Sequence, residues 1–344
     1  MKVIARHDRI ALRTMRARVT AVSLLAIIVL LTPGWTEQAW GQSNVRRVGI
    51  LSFSAATSDP NLEVVLTVFR RELANRGWVE GQNVAFEYQN AGSDPSRFSA
   101  AAVRLVERDV DVIFATSAPA LRAAYAATRT VPIVAGDFTT DPVAEGYVES
   151  YARPGGNVTG IFLDAPEFAG KWFEFLKAMI PDMTRIAVLW DPGPGDTHLQ
   201  AIRSVAQLLE LELQVIDVRK PDDLDQAFAA LHSDPQALIL LPSPLIYNQS
   251  THLAKLALEH RLPATSMAHS FANAGGTLAY GPDRASTWER GAVFVARILS
   301  GSKPGEMPVE RPTKIQLVVN LNTARILGLS VPQSILLRAD EVIR

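Results

Sequence analysis

The stretch "AGDFTTDPVAEG" (135–146) places two carboxylates, Asp137 and Asp141, four residues apart just beyond an apolar run at 132–135. Paired carboxylates can work as general acid and base, but that chemistry needs a third convergent group, and the stretch offers none. Asp141 directly precedes Pro142, and an aspartate before a first-turn proline predicts a cap on a helix beginning near Pro142. Asp137 comes too early to cap that helix. Two roles stay open for it: an Asx-turn within the loop, or a charge-assisted hydrogen bond to a ligand cation such as an α-ammonium group.

Other chemistry-bearing patterns are incomplete. "GPGDTH" (193–198) follows an apolar run and opens an amphipathic one, as a dinucleotide fingerprint would, but His198 stands where the third glycine is needed. There is no Gly-Lys-Ser/Thr phosphate loop and no Gly-x-Ser-x-Gly nucleophile elbow. The six histidines are scattered and cysteine is absent, so no zinc set forms; His252 and His260, eight apart on one predicted helix, read as solvent-facing or helix-ending residues. No catalytic residue, cofactor or metal is expected.

The elements that must position these loops alternate regularly. Short β-branched runs at 45–53, 83–89, 110–116 and 131–136 are separated by amphipathic segments at 61–76, 95–107 and 117–127, which predicts strand–helix units and a parallel sheet. The same grammar restarts with helix 166–180 and strands at 185–190, 211–218, 237–242, 262–266 and 276–281, with helices at 196–210, 222–231 and 249–260 between them. A helix at 284–301 with Trp288, Ala292, Val295 and Ile298 on one face, a strand at 314–320 and a helix at 321–327 close the chain. The expected fold class is α/β, two Rossmann-like doubly wound lobes joined by a hinge that the chain crosses more than once. In such sheets ligands sit beyond the carboxyl ends of the strands, at helix N-termini.

Composition limits the partners. A chain of 344 residues, 48% hydrophobic and 20% charged, can bury a large core. Residues 1–41 hold six Lys and Arg against Asp8 and Glu37, a charge of +4, so the remainder of this chain of net charge -1 carries -5, and nucleic acid is a poor partner. The basic stretch leads into "VTAVSLLAIIVLL" (19–31) and then Pro33, Gly34 and small residues at Ala39 and Gly41. That order predicts a signal peptide, 1–41, cleaved near Gly41, and a periplasmic mature protein that is not membrane-embedded.

Three stretches carry a family likeness: "DPVAEGYVESYARPGGNVTGI" (141–161), "LAYGPD" (278–283) and "PTKIQLVVNLNTARILGLSVPQSILLRADEVI" (312–343). They resemble the substrate-binding proteins of ABC transporters, in the group that includes tryptophan/tyrosine-binding lipoprotein-like proteins. The resemblance implies the type I periplasmic-binding-protein fold, with 45–156 plus 283–308 as the N-terminal lobe, 160–280 plus 312–344 as the C-terminal lobe, and "NVTGIF" (157–162) and "LAYGPD" as two of three crossovers. It also implies a small-molecule ligand held between the lobes and an ABC permease of the inner membrane as partner. The ligand loops then supply Ser54, Thr116 and Ser117 at a helix start, Asp137 opposite an amine, and, from the second lobe, Asp191, Ser243, Met267 and Tyr280. The chain departs from the family's usual wording at Ser243-Pro244-Leu245, where relatives often have Asp-Pro-Leu, at "TSMAHSF" (265–271), and in lacking a lipobox cysteine. The expected function is capture of an amino acid or other small carboxylate for import. Alternatives are a sensory binding protein serving a signalling receptor and an enzyme on a doubly wound scaffold.

Overall fold

The computed structural model describes residues 45–53, 60–92, 95–163, 165–232 and 234–344. The predicted signal segment and Ser54 lie outside the described residues. From Val45 onward the chain is one compact unit containing two sheets.

The first sheet is wholly parallel, in the order β2-β1-β3-β4-β5, with β1 Arg46–Ser52, β2 Val84–Asn90, β3 Val112–Ala115, β4 Ile133–Phe138 and β5 Val158–Phe162. Successive side chains leave a strand on opposite faces, so each strand feeds two cores. Val48, Ile50, Val112 and Phe114 pack with Phe69 of helix Pro60–Asn75 and with Trp288 and Phe294 of helix Arg284–Leu299. Leu51, Ile113 and Ala115 pack on the other side with Phe98 and Leu105 of helix Pro95–Glu107 and Leu121 of helix Ala118–Ala127. The apolar stripe predicted around Trp288 is therefore core of the first lobe, although its helix arrives late in the sequence.

The second sheet runs β12-β11-β10-β9-β8-β6-β7, with β6 Arg185–Trp190, β7 Glu212–Asp217, β8 Ala237–Leu240, β9 Ala264–Ser266, β10 Leu278–Pro282, β11 Ile315–Asn320 and β12 Glu341–Ile343. Only β10 and β11 pair antiparallel. Helices Ala165–Met179 and Thr197–Leu208 cover one face, and Asp223–Ala229 and Ser250–Glu259 the other.

The chain passes between sheets three times: after β5, between β10 and helix Arg284–Leu299, and between Glu310 and β11. Asp283 and Lys314 tie the last two passages together, through the Asp283 N–H to the Lys314 carbonyl at 2.9 Å and an ion pair at 2.8 Å. Asp283 Oδ1 also accepts from Ser286 N at 2.7 Å, capping the helix that re-enters the first lobe.

Two local expectations need correction. Residues 157–162 are not a crossover: Val158–Phe162 forms β5 in the first sheet, so the chain leaves that sheet only after Phe162 rather than at 160. Residues 142–146 form successive turns rather than a helix; Asp141 Oδ1 accepts from Val143 N at 2.9 Å, and Gly146 at φ +73° stops the chain from winding further.

β5 can lie against β4 because of Gly160, whose φ is +148° and whose missing Cβ would stand 2.1 Å from the Ala135 carbonyl oxygen. Its own carbonyl accepts from Glu310 N at 3.0 Å, fastening the last passage to the sheet edge. Gly160→Ala should cost about 3 kcal/mol or more through clash and backbone strain. Thermal unfolding should show a midpoint lowered by about 5 °C or more; an unchanged midpoint would show that the two strands separate without cost.

Candidate functional site

The site begins with an irregularity in β4. Ala135 pairs with Gly160, but the next pair is Phe138 with Phe162, so the register shifts across Gly136 and Asp137. A bulge of this kind re-aims a side chain relative to the regular pleat. Gly136 fits because the Phe114 ring lies 3.1 Å from where its Cβ would be. Asp137 is thus part of a bulged strand, not of a loop beyond it.

Asp137 keeps part of its surface open to a cavity, yet its Oδ1 is sealed and has no hydrogen-bond partner. Burial raises its pKa to about 7, although a hydrogen bond with Thr139 pulls the other way. A carboxylate so deprived of compensation is held in a state that a cation would relieve.

The cavity, about 750 Å³, lies between the lobes. From the first lobe come Phe53, Val65, Phe114, Thr116, Asp137 and Trp288; from the second come Tyr247, Asn248, Met267, Ala268 and His269. A nook of about 20 Å³ adjoins it, lined by Ser117, Ala118 and Pro119 of the first lobe and Ser243 and Pro244 of the second. That volume admits one or two small polar atoms rather than a side chain. Phe53, Thr116, Asp137 and Tyr247 line both spaces.

The nook is framed by two serine-capped turns. Ser117 Oγ accepts from Ala120 N at 3.4 Å at the start of helix Ala118–Ala127, and Ser243 Oγ accepts from Ile246 N at 3.1 Å at the start of the short helix Pro244–Asn248. The ten-residue helix brings the free N–H of Ala118 and the positive end of its dipole to the nook, since Pro119 has no N–H and Ala120 N is taken up by Ser117 Oγ.

The lobes meet around this space. Phe53 and Tyr247 stack with centroids 6.0 Å apart. Arg122 donates to the carbonyls of Gly193 and Pro194 at 3.3 and 3.0 Å, and Asn248 donates to the Phe53 carbonyl at 3.4 Å. The glycine-containing turn that resembles a nucleotide loop thus faces an arginine of the opposite lobe through its carbonyls.

Of the residues expected in the site, Thr116, Asp137 and Met267 line the cavity and Ser117 and Ser243 the nook. Asp191 and Tyr280 line neither. Asp191 Oδ1 accepts from Gly193 N at 2.8 Å and the side chain bonds Ser243, so it orders the loop behind the nook; burial raises its pKa. Tyr280 shares a pleat face with Leu278, which turns its ring onto Phe175 and Phe168, at 5.2 and 6.0 Å. Sequence reasoning placed Trp288 on an apolar helix face and did not expect it, Phe53, Phe114, Tyr247 or His269 in the site. Tyr247 was within reach, since it follows Ser243 by one helical turn in the loop already suspected. Among the described residues no group of three His, Cys, Asp or Glu side chains could hold a metal ion, and no helix is long and apolar enough to cross a membrane.

Two α/β lobes, linked by three passages and meeting around a cavity at their strand tips, define the type I periplasmic-binding-protein class. The chain belongs to the ABC transporter substrate binding protein family, whose model matches residues 50–343. It is 25% identical over 283 residues to the tyrosine-binding protein of Clostridioides difficile (strain R20291), covering 81% of each chain. Among solved structures it resembles a conserved domain protein from Vibrio cholerae (TM-score 0.78, 25% identity) and an ABC domain in complex with L-Trp from Streptococcus pneumoniae (TM-score 0.78, 22% identity). Each likeness covers 87% of this chain and 99% of the other.

The Asp137 environment has a consequence for stability. Its folded pKa lies above the unfolded value, so the folded state binds the extra proton between about pH 4 and 7 and stability falls as pH rises through that window. Asp137→Asn should therefore raise the unfolding free energy measured by denaturant titration at pH 8 by on the order of 2 kcal/mol, once partial exposure to the cavity is allowed for, and barely change it at pH 4. Equal effects at both pH values would mean that the carboxylate is not destabilised in the ligand-free protein.

Proposed function

We propose that the chain is the exported, periplasmic binding component of an ABC importer, that it closes on a free amino acid, and that it delivers this ligand unchanged to an inner-membrane permease. The observation that carries the reading is the unpartnered Oδ1 of Asp137, set in the wall shared by a roomy cavity and a small polar nook.

In this reading the α-ammonium group meets Asp137 and the α-carboxylate enters the nook between Ser117 and Ser243, where N–H groups and hydroxyls supply the donors. The side chain then extends into the larger cavity, along Val65, Phe114, Met267 and Trp288. A carboxylate without an amine is disfavoured, since nothing would offset the charge of Asp137. The volume and the aromatic and aliphatic residues along part of an otherwise polar wall leave room for a large side chain, in keeping with the tyrosine and L-Trp named for the two relatives. No bond is made or broken, and recognition is hydrogen bonding and burial.

Calorimetric titration of the purified protein with L-tyrosine, L-tryptophan and L-phenylalanine is the direct test. At least one should bind, and Asp137→Ala should weaken it by about 2 kcal/mol or more, roughly thirtyfold. Binding to wild-type protein should strengthen as pH rises through about 7, because Asp137 ionises while the ligand ammonium stays charged, with a fall of about two orders of magnitude from pH 8 to pH 5. If none of the three binds at pH 8, the reading is wrong.

A further inference from the structure

The turn that follows β6, "DPGPG" (191–195), has almost no donors to offer. Pro192 and Pro194 carry no N–H, and the Gly193 N–H is taken by Asp191 Oδ1 at 2.8 Å. The Gly195 N–H turns back to the Pro192 carbonyl at 3.0 Å, and the Trp190 indole holds the Gly195 carbonyl at 3.1 Å. Two successive carbonyls, Gly193 and Pro194, are left for a partner that only donates, and a guanidinium is such a partner. Arg122, on helix Ala118–Ala127 of the first lobe, reaches both: Nη1 donates to the Gly193 carbonyl at 3.3 Å and Nη2 to the Pro194 carbonyl at 3.0 Å. On its own lobe the same guanidinium bonds the Tyr147 hydroxyl, whose ring packs edge-on against Tyr125 at 5.0 Å, so the side chain is braced before it crosses the gap.

This contact differs in place from the others between the lobes. Phe53, Tyr247 and Asn248 line the cavity, so a molecule bound there can alter what they do. Arg122 and Gly193 line neither the cavity nor the nook, and Pro194 is part of the nook wall, across from Ser117 and Pro119. The turn also reaches the nook through Asp191, whose side chain bonds Ser243. A contact with protein on both sides, lost when the lobes separate, favours the apposed arrangement by the same amount whatever lies between them. Apparent affinity scales with the fraction of molecules in the competent arrangement, so such a contact multiplies the affinity of every ligand by one factor.

We propose that Arg122 is a positioning residue for binding: its clamp on the Gly193 and Pro194 carbonyls holds the lobes together and the Pro194 wall of the nook in place, and so sets affinity without taking part in the choice among ligands. The fork of the guanidinium is what spans two adjacent carbonyls at fixed spacing. A lysine ammonium, a point charge on a flexible stem, keeps the charge but not that geometry.

The chain has no cysteine, so Val103→Cys and Leu208→Cys, at exposed positions on helices of the first and second lobe, create a unique pair for spin labels. Double electron–electron resonance on this labelled protein, with no ligand added, should show Arg122→Ala depleting the short-distance population by about threefold or more, with Arg122→Lys in between. Identical distance distributions with and without Arg122 would overturn the proposal. The affinity arm rests on the amino-acid reading above. In calorimetry at pH 8, L-tyrosine and L-tryptophan should each bind Arg122→Ala roughly tenfold more weakly than wild-type protein, by factors that agree within about twofold. A loss confined to one probe would make Arg122 a ligand contact, and no loss for either would make the clamp idle; each would overturn the proposal while leaving the amino-acid reading standing. If neither probe binds wild-type protein, the amino-acid reading loses that support and the distance measurement alone decides the clamp.

Discussion

Everything in the site depends on a carboxylate held where water cannot fully reach it. A regular β4 would have carried Asp137 along the pleat with its neighbours, and the displaced register at Gly136 and Asp137 is what sets it in the inter-lobe wall. The displacement is built from sequence-distant parts: the Phe114 ring beneath Gly136, the bare backbone of Gly160 against Ala135, and the Glu310 N–H that holds Gly160 from outside. Burying an ionisable group without a partner opposes folding, and the cores on both faces of the first sheet supply the stability against which that cost is small.

The second lobe completes the enclosure. Neither sheet alone encloses the cavity, and among the described residues the contacts that bring them together include one ring stack, two hydrogen bonds from Arg122 and one from Asn248. At about 1 kcal/mol apiece these sum to a few kcal/mol, partly offset by the entropy of holding the side chains in place. An equilibrium between apposed and separated lobes in that range is one that a ligand with differential affinity can tip. Tyr247 packs against the cores of both lobes, so a molecule placed beside Asp137 is also placed against the residue that joins them.

Much of this was legible in the sequence because it is local. Short β-branched runs alternating with amphipathic helices gave two doubly wound sheets, and the position of Asp137, past a buried run and too early to cap a helix, left an Asx-turn or a ligand contact as its roles. The bulge was not legible, since it exists only through a cross-strand partner 25 residues away, and a helix was expected after Asp141 because its capping signal was read without the stop at Gly146. Tyr280 was expected in the site because it sits on a crossover strand; pleat parity, fixed by Leu278, turns it to the other side. His269 was missed for the opposite reason, in that a lone histidine in a short helix says nothing until its Nε2 is found buried and unpaired.

The charges also explain why the nook and the cavity can serve one molecule. A zwitterion carries no net charge, so a site that buried a fixed cation beside Asp137 would neutralise the aspartate in the empty protein and remove its attraction for an ammonium group. Neutral dipoles avoid that: N–H groups and hydroxyls at the nook can stabilise a carboxylate without ion-pairing to Asp137 beforehand. On the reading proposed above, the empty site stays out of electrostatic balance, and a molecule carrying both an ammonium and a carboxylate group would restore the balance at both ends at once.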